Sequence, residues 1–393
     1  MTIGLPSSPP HRTGLFISPF LTDSASGGGL VSRMNLACLQ GSLHEVKAIA
    51  LSNVSSGQGF TAIGSPGTTL TTALCNLLLM AGRLTPSALY KVARALRTTK
   101  PDVVFLDSSS LGWIALLTRL LAPKARLIAF FHNIEFDFQL ERSRAEGRKY
   151  LLSAWAEYVN ERLTTRLADV VLMLTKEDSE RAAHLYRRGA DALTPVCLSD
   201  DADNQDTWPD EAGEVGSADG VLFVGSGFFA NREAVDFLLK QLAPALKKQG
   251  NTRIRIAGSG FTAAEWKEDI PDNVDMLGRV PDLTPYYRKA IAFVAPIFSG
   301  AGMKVKVAEA LKHGLPVIGT PLALRGYRDD IPDAQHLLTA SSIDEFVYAI
   351  QICSSSSLSR SVLARLDFEA RFSFAAGQRR MRSILEQSFE DIR

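Results

Sequence analysis

The chain has 393 residues, 46% of them hydrophobic, with 43 lysines and arginines against 42 aspartates and glutamates. That length exceeds what a single core usually organises, so two domains are expected. A net charge of +1 gives no global basis for nucleic-acid binding. The four scattered cysteines, Cys38, Cys75, Cys197 and Cys353, form no CxxC pair, which argues against a zinc site or disulfide framework and fits a reducing cytoplasm.

In chain order, residues 1–13 are polar and proline-rich with no apolar signal-type run, and read as a flexible tail. From Gly14 short apolar strands alternate with helical stretches. Strands are predicted at 14–20, 45–51, 102–108, 126–133 and 169–175, where near-continuous Val, Ile, Leu and Phe suit a parallel sheet covered on both faces. Helices are predicted at 30–40, 87–98, 111–122 and 141–167. The most apolar windows, 72–84 and 111–122, each carry an arginine and are too short to span a bilayer. Residues 199–220 are acidic and poor in apolar residues and read as a linker. Their Asp201-Ala202-Asp203 has no strand before it, so solvated charge is the better reading than a metal site.

The same grammar then restarts. Strands are predicted at 221–226, 253–259, 273–278, 291–298 and 315–320, and helices at 231–249, 282–290 and 303–313. The expectation is an α/β chain of two Rossmann-like domains, 14–198 and 221–372, followed by a helix within 373–393 for which a return to the first domain is open. Such sheets bind ligands beyond the C-terminal ends of their strands, here in an interdomain cleft.

The stretch SGAGMKVKVAEALKHGLPVIGTP (299–321) carries the most chemistry. Its small residues allow a tight turn and close approach by a ligand. Lys304 and Lys306 fall in the first turn of the next helix, where the helix end is already positive; a phosphate held there explains them. At 3.6 residues per turn Gly302, Lys306, Glu309 and His313 form one stripe, with Met303, Val307, Ala308, Ala310 and Leu311 on the buried side. A solvated Lys306–Glu309 pair is the plainer alternative.

VLFVGSGFFANREAVDFL, IRIAGSG, NVDMLGRVPDLTPYYRKAIAFVAPIF and the segment above resemble the C-terminal domain of retaining GT-B glycosyltransferases of the family-4 type. LFISPFLTDSASGGGLVSRMNLACLQ, KPDVVFLDSS and FFHNIEFD resemble, more weakly, that family's N-terminal domain; in all, the likeness covers most of residues 14–350. The resemblance implies transfer of a sugar from a nucleotide-sugar to a carbohydrate or lipid-linked acceptor, with retention, in polysaccharide or glycolipid synthesis. With no well-placed acidic pair in the sequence, neither metal nor cofactor is expected. A cytoplasmic protein is expected, open to a peripheral place on the inner face of the membrane. Glu309 matches the glutamate that bonds the ribose; Gly302, Met303 and the amides that follow match the turn facing the donor; Lys304 and Lys306 lie where the diphosphate is neutralised. The family's earlier paired glutamate falls on Ala301, a departure that leaves a catalytically silent binding or scaffold protein as one alternative and a nucleotide-sugar epimerase of the same fold as another.

Further residues follow from position. Arg232 is a second candidate for the leaving phosphate, or an exposed first-turn arginine. Asn231 reads as an N-cap. Gly225 and Gly227 suit close backbone approach to the donor, and Arg279 and Val280 lie where the family holds the base. Gly27, Gly28 and Gly29 open a helix after a strand, as a loop whose amides approach ligand or as a plain surface loop. His132, at a strand end, matches the family histidine near the transferred sugar, against a structural histidine. Asp137 reads as a cap for a helix over 138–145, and Glu135 is left open. Residues 83–149 are rich in lysine and arginine, so the first domain, with its leucine-rich stretches, could rest on an anionic leaflet; ordinary core helices are the alternative.

Overall fold

A computed structural model describes residues 11–23, 26–54, 59–65, 69–81, 84–199, 219–266, 270–329, 331, 334–355 and 357–390. The predicted tail up to residue 10 and most of the acidic linker, with Asp201 and Asp203, lie outside them. The chain divides into two compact units, Met1–Pro195 with Phe374–Arg393, and Val196–Ser373.

The first unit runs β1 (Thr13–Ser18), α1 (Gly27–Gln40), β2 (Glu45–Leu51), β3 (Thr61–Ile63), α2 (Thr69–Leu77), α3 (Pro86–Thr99), β4 (Val103–Leu106) and α4 (Gly112–Leu121). It continues with β5 (Arg126–Phe131), α5 (Glu135–Glu146), α6 (Leu151–Leu167), β6 (Val170–Met173), α7 (Lys176–Tyr186) and β7 (Ala192–Leu193). The strands form one parallel sheet in the order β3-β2-β1-β4-β5-β6-β7. Phe16, Phe105 and Phe130 stack across its middle at 5.3 and 6.4 Å. Helix α3 shows why such segments fold: Thr85 accepts the Ala88 N–H, Pro86 opens the first turn, and Ala88, Val92 and Leu96 bury one stripe, satisfying an orphan donor and covering the sheet at once.

The second unit runs β8 (Val221–Val224), α8 (Phe229–Phe237), a π-turn at Leu238–Leu242, α9 (Ala243–Lys248), β9 (Ile254–Ala257), β10 (Val274–Gly278) and α10 (Thr284–Lys289). After these come β11 (Ala292–Ala295), α11 (Val305–Lys312), β12 (Val317–Gly319), β13 (Leu337–Thr339), α12 (Ile343–Ser355) and α13 (Ser357–Asp367). Its sheet is parallel, in the order β10-β9-β8-β11-β12-β13. The last helix, α14 (Phe374–Glu390), belongs to the first unit. There Arg382 donates to the Gly41 carbonyl at 3.0 Å, Arg126 donates to the Ser388 carbonyl, and the Arg12 guanidinium lies 3.7 Å from the Phe389 ring centre.

Several sequence expectations change. The single helix over 141–167 is two helices, α5 and α6, broken at Gly147 with φ of +107°, and α5 begins at Glu135. Its start is held from a distance: the Glu161 carboxylate accepts the N–H groups of Glu135 and Phe136 at 2.9 and 3.1 Å. Asp137 is therefore no cap; it pairs with Arg181 at 2.7 and 2.8 Å. The elements β3, α2, α7, β7, β13, α12 and α13 were not anticipated.

In the second unit the turns after β8 and β9 meet. A Cβ on Gly258, whose φ is +131°, would lie 1.6 Å from the Gly225 carbonyl oxygen, whereas one on Gly250, at φ +122°, would meet nothing within 4 Å. Strain alone costs about 1–3 kcal/mol at such a backbone. Gly258→Ala should therefore lower the melting temperature distinctly more than Gly250→Ala; equal shifts in a thermal melt would show that the contact with Gly225 does not matter.

Candidate functional site

In the second unit the strand order reverses between β8 and β11, so the loops following these strands emerge side by side. Such a reversal leaves a crevice at the C-terminal ends of the strands. The loop after β11 takes the glycines it needs: Gly300 and Gly302 have φ of +97° and +69°, a left-handed backbone that other residues adopt only with strain. Met303 is buried beneath the turn. Gly302 thus lies ahead of α11 rather than on its stripe, and Lys304 is the N-cap residue.

Tyr327, fully buried, holds this helix start. Its hydroxyl donates to the Lys304 carbonyl at 2.8 Å and accepts the Ala308 N–H at 3.2 Å. The sequence reading passed over Tyr327, because it lies some twenty residues away and on no periodic stripe.

The two lysines part company. Lys304 Nζ folds back onto the carbonyls of Ala301 and Gly302 at 2.8 and 3.0 Å. Lys306 Nζ donates to Asn231 Oδ1 at 2.5 Å and sits 4.9 Å from the Phe223 ring centre. This partner takes the place of the solvated Lys306–Glu309 pair that was the plainer alternative for this stripe. Burial, with help from the Lys304 charge, pushes the Lys306 ammonium down to about 7, against the pull of Glu309. Burial likewise raises the Glu309 carboxyl above its ordinary range, opposed by Lys306 and Lys312. His313, at the far end of α11, is pushed down to about 4 chiefly by burial and stacks on Tyr287 at 4.6 Å.

The loop after β8 carries the other half of this edge. Asn231 is not an N-cap: α8 starts at Phe229, after Phe228. Its side chain instead donates to the Ser226 carbonyl at 2.9 Å while receiving Lys306. Exposed Arg232 donates to the Gly227 carbonyl at 3.0 Å, with its guanidinium 5.5 Å from the Trp266 ring centre. Ser299 donates to Glu233 at 2.6 Å, tying the glycine turn to α8. Arg279 and Val280 follow β10, at the edge of the sheet and two strands from β8.

The first unit repeats the plan, with its reversal between β1 and β4. Gly27, Gly28 and Gly29 are not a loose loop but the first turn of α1. Ser26 accepts the Gly29 N–H at 3.1 Å, and a Cβ at Gly29 would lie 1.7 Å from the Asp23 carbonyl oxygen. Packing alone therefore accounts for Gly29, whereas Gly27 and Gly28 head the helix where N–H groups lack intrahelical partners.

Asp107, just past β4, is fully buried and missing from the sequence-derived candidates. Ser32 donates to its Oδ2 and Asn35 to its Oδ1, at 2.8 Å for the latter; the Ser32 hydroxyl also meets that of Ser18 at 3.1 Å. His132, just past β5, places Nε2 3.2 Å from the Asp107 carbonyl oxygen and 3.4 Å from Oδ2. Its ring stands edge-on to Phe20 and Phe130, both at 4.9 Å. The available signal was an aspartate ending an apolar strand, FLDS, at the reversal. Among the described residues no group of three or more His, Cys, Asp or Glu side chains could hold a metal ion.

Comparison with known proteins follows this division. The family described as Glycosyltransferase Family 4 matches residues 36–194, and Glycosyl transferases group 1 matches residues 218–355. A sequence search of curated proteins finds no match. Among solved structures, sucrose-phosphate synthase from Thermosynechococcus elongatus is 16% identical, covering 97% of this chain and 100% of that one, with a TM-score of 0.68. Anabaena Alr3699/HepE in complex with UDP and glucose is 11% identical, covering 96% and 100%, at 0.64. A putative UDP-N-acetylglucosamine 2-epimerase from Listeria monocytogenes is 13% identical, covering 97% of each chain, at 0.58. These likenesses carry the GT-B fold. The two family matches, one on each unit, carry the rest: the chain belongs to the family-4-type GT-B glycosyltransferases.

Proposed function

We propose that the protein moves a sugar, with retention, from a nucleotide-sugar to a carbohydrate or lipid-linked acceptor in polysaccharide or glycolipid synthesis, at the cytoplasmic side of a membrane. The observation that carries this reading is the half-buried Lys306, held on Asn231 beside the Gly300–Gly302 turn at the β8/β11 reversal. A cation kept there against burial answers an anion that arrives with the substrate. UDP bound to the Anabaena protein of the same fold supports a nucleoside diphosphate as that anion.

In this reading Lys306 and the N-terminus of α11 take the charge that grows on the leaving phosphate. Lys304 and Arg232 add to the positive field, Gly225, Gly227, Gly302 and Met303 present backbone to the donor, Glu309 holds the ribose, and Arg279 with Val280 border the base. His132, oriented by Asp107, contacts the transferred sugar or acceptor, with Gly27 and Gly28 beside it on the same sheet edge. The leaving phosphate guides the acceptor to the same face of the sugar. With these cationic groups taking the phosphate charge and no well-placed acidic pair in the sequence, turnover should persist in EDTA; loss that magnesium or manganese restores would overturn the metal-free reading. Conversion of a UDP-sugar to its C2 epimer without acceptor would replace transfer by epimerisation, the second reading that the Listeria structure invites.

The Lys306 charge gives a pH test. Free protein loses this proton as pH rises past about 7, and a bound diphosphate favours the charged form, so binding at pH 8 takes up a proton that binding at pH 6 does not. Calorimetry in buffers of different ionisation enthalpy should show that uptake with UDP, and Lys306→Met should abolish it. Equal proton uptake by parent and variant would remove Lys306 from the phosphate site.

His132→Ala should lower kcat roughly 10²–10⁴-fold with UDP affinity nearly unchanged. A matching loss of melting temperature and activity would make the ring a packing group between Phe20 and Phe130.

A further inference from the structure

Helix α2 is built with its apolar side outward. Its segment Thr69–Leu77 contains no charged residue, and Leu70, Leu74 and Leu77, with Leu78 just beyond, are all more than half exposed, Leu70 at 71%. The opposite side is the anchored one. Cys75 and Asn76 are buried, and Asn76 donates to Ser153 of α6 at 2.8 Å. The Leu79 carbonyl then accepts from Trp113 and Asn160 at 3.0 and 2.8 Å. Polar bonds thus fix the inner face, so the leucines face solvent as part of the fold. Soluble chains rarely leave such a stripe uncovered.

The stripe continues onto the start of α6, where Leu151, Leu152 and Trp155 are exposed, Trp155 at 55%. Directly before it, Arg144, Arg148 and Lys149 are exposed as well. Between 141 and 149 there are four cations and two carboxylates, and one of those carboxylates, Glu146, is already paired with Arg142 at 3.1 Å. Exposed leucines, an interfacial-type tryptophan and an adjacent positive cluster are the chemistry of an anionic lipid surface. The window 111–122, the other leucine-rich candidate, is different: α4 buries Ile114, Ala115 and Thr118 in the core.

We infer that the face made by α2 and the first turns of α6 docks on an anionic bilayer, its leucines and Trp155 entering the headgroup boundary and Arg144, Arg148 and Lys149 meeting lipid phosphates. This goes beyond the transfer reaction and deepens the membrane location proposed above, which the vesicle test reads separately from transfer. The test is co-sedimentation of the full chain with phosphatidylcholine vesicles, with and without phosphatidylglycerol. Binding should require the anionic lipid and weaken with added salt. Arg148→Ala with Lys149→Ala should weaken it roughly fivefold per cation, and Leu74→Ser with Leu77→Ser should abolish it, with UDP-induced thermal shifts retained as the check on folding. Equal binding to neutral and anionic vesicles would overturn the inference. So would variants that bind like the parent, or leucine variants that change only the sedimentation coefficient, which would mark the face as a contact between copies of this chain.

Discussion

The constraint on which both units depend is the reversal of strand order beside the first strand of each sheet. A parallel sheet must be covered on both faces, so the chain winds outward from β1 or β8, returns across it, and winds out the other way. Loops at that point have a neighbour on one side only at their base, and they splay apart. Asp107 and the start of α1 occupy the reversal of the first unit, with His132 one strand further, while Asn231, the Gly300–Gly302 turn and Lys306 occupy that of the second. Topology gathers these residues from segments far apart in sequence; local preference does not.

Two kinds of polar group sit at these edges, and they differ physically. Asp107 is saturated: two side-chain donors and the neighbouring imidazole surround it. Such a network fixes geometry, since an unpaired buried carboxylate would be costly. Lys306 is undersupplied. One amide oxygen and one ring face only partly replace the water that a half-buried ammonium gives up, and with the Lys304 charge nearby its proton affinity falls. The first arrangement orients a neighbour; in the function proposed above, the second is completed by an incoming anion.

Much of this was legible from residues alone. Alternating apolar runs and glycine stops located most strands, because burial on both faces leaves little freedom of composition. The lysine-bearing helix start after SGAG was legible because its charge contradicts the helix dipole. The groups that hold it were not. Tyr327 reaches back across the fold, Glu161 caps α5 from 25 or so residues away, and Asn231 looked like a cap because Asn often is one; each acts through tertiary contact, which has no sequence period. Helix α2 was hidden for the opposite reason. Its leucines match a core helix in composition, and only the polar bonds of Asn76 and the Leu79 carbonyl decide which side faces in.

Ala301 brings these threads together. In the pattern this chain resembles, a carboxylate stands there, facing the donor sugar. Here its carbonyl, not a side chain, is the engaged group, accepting from Lys304 Nζ at 2.8 Å. With a methyl group at 301, the turn holds Lys304 and Lys306 with Glu309 as their carboxylate neighbour on α11, and the local charge is positive. A glutamate at 301 would offer Lys304 an ionic partner and draw it from the carbonyls of the turn. The same carboxylate would lessen the like-charge repulsion that lowers the Lys306 proton affinity. Its absence leaves the lysine charges of the turn without that partner, which ties the identity of one small residue to the electrostatics of the whole edge and, in the function proposed above, to the anion that would balance it.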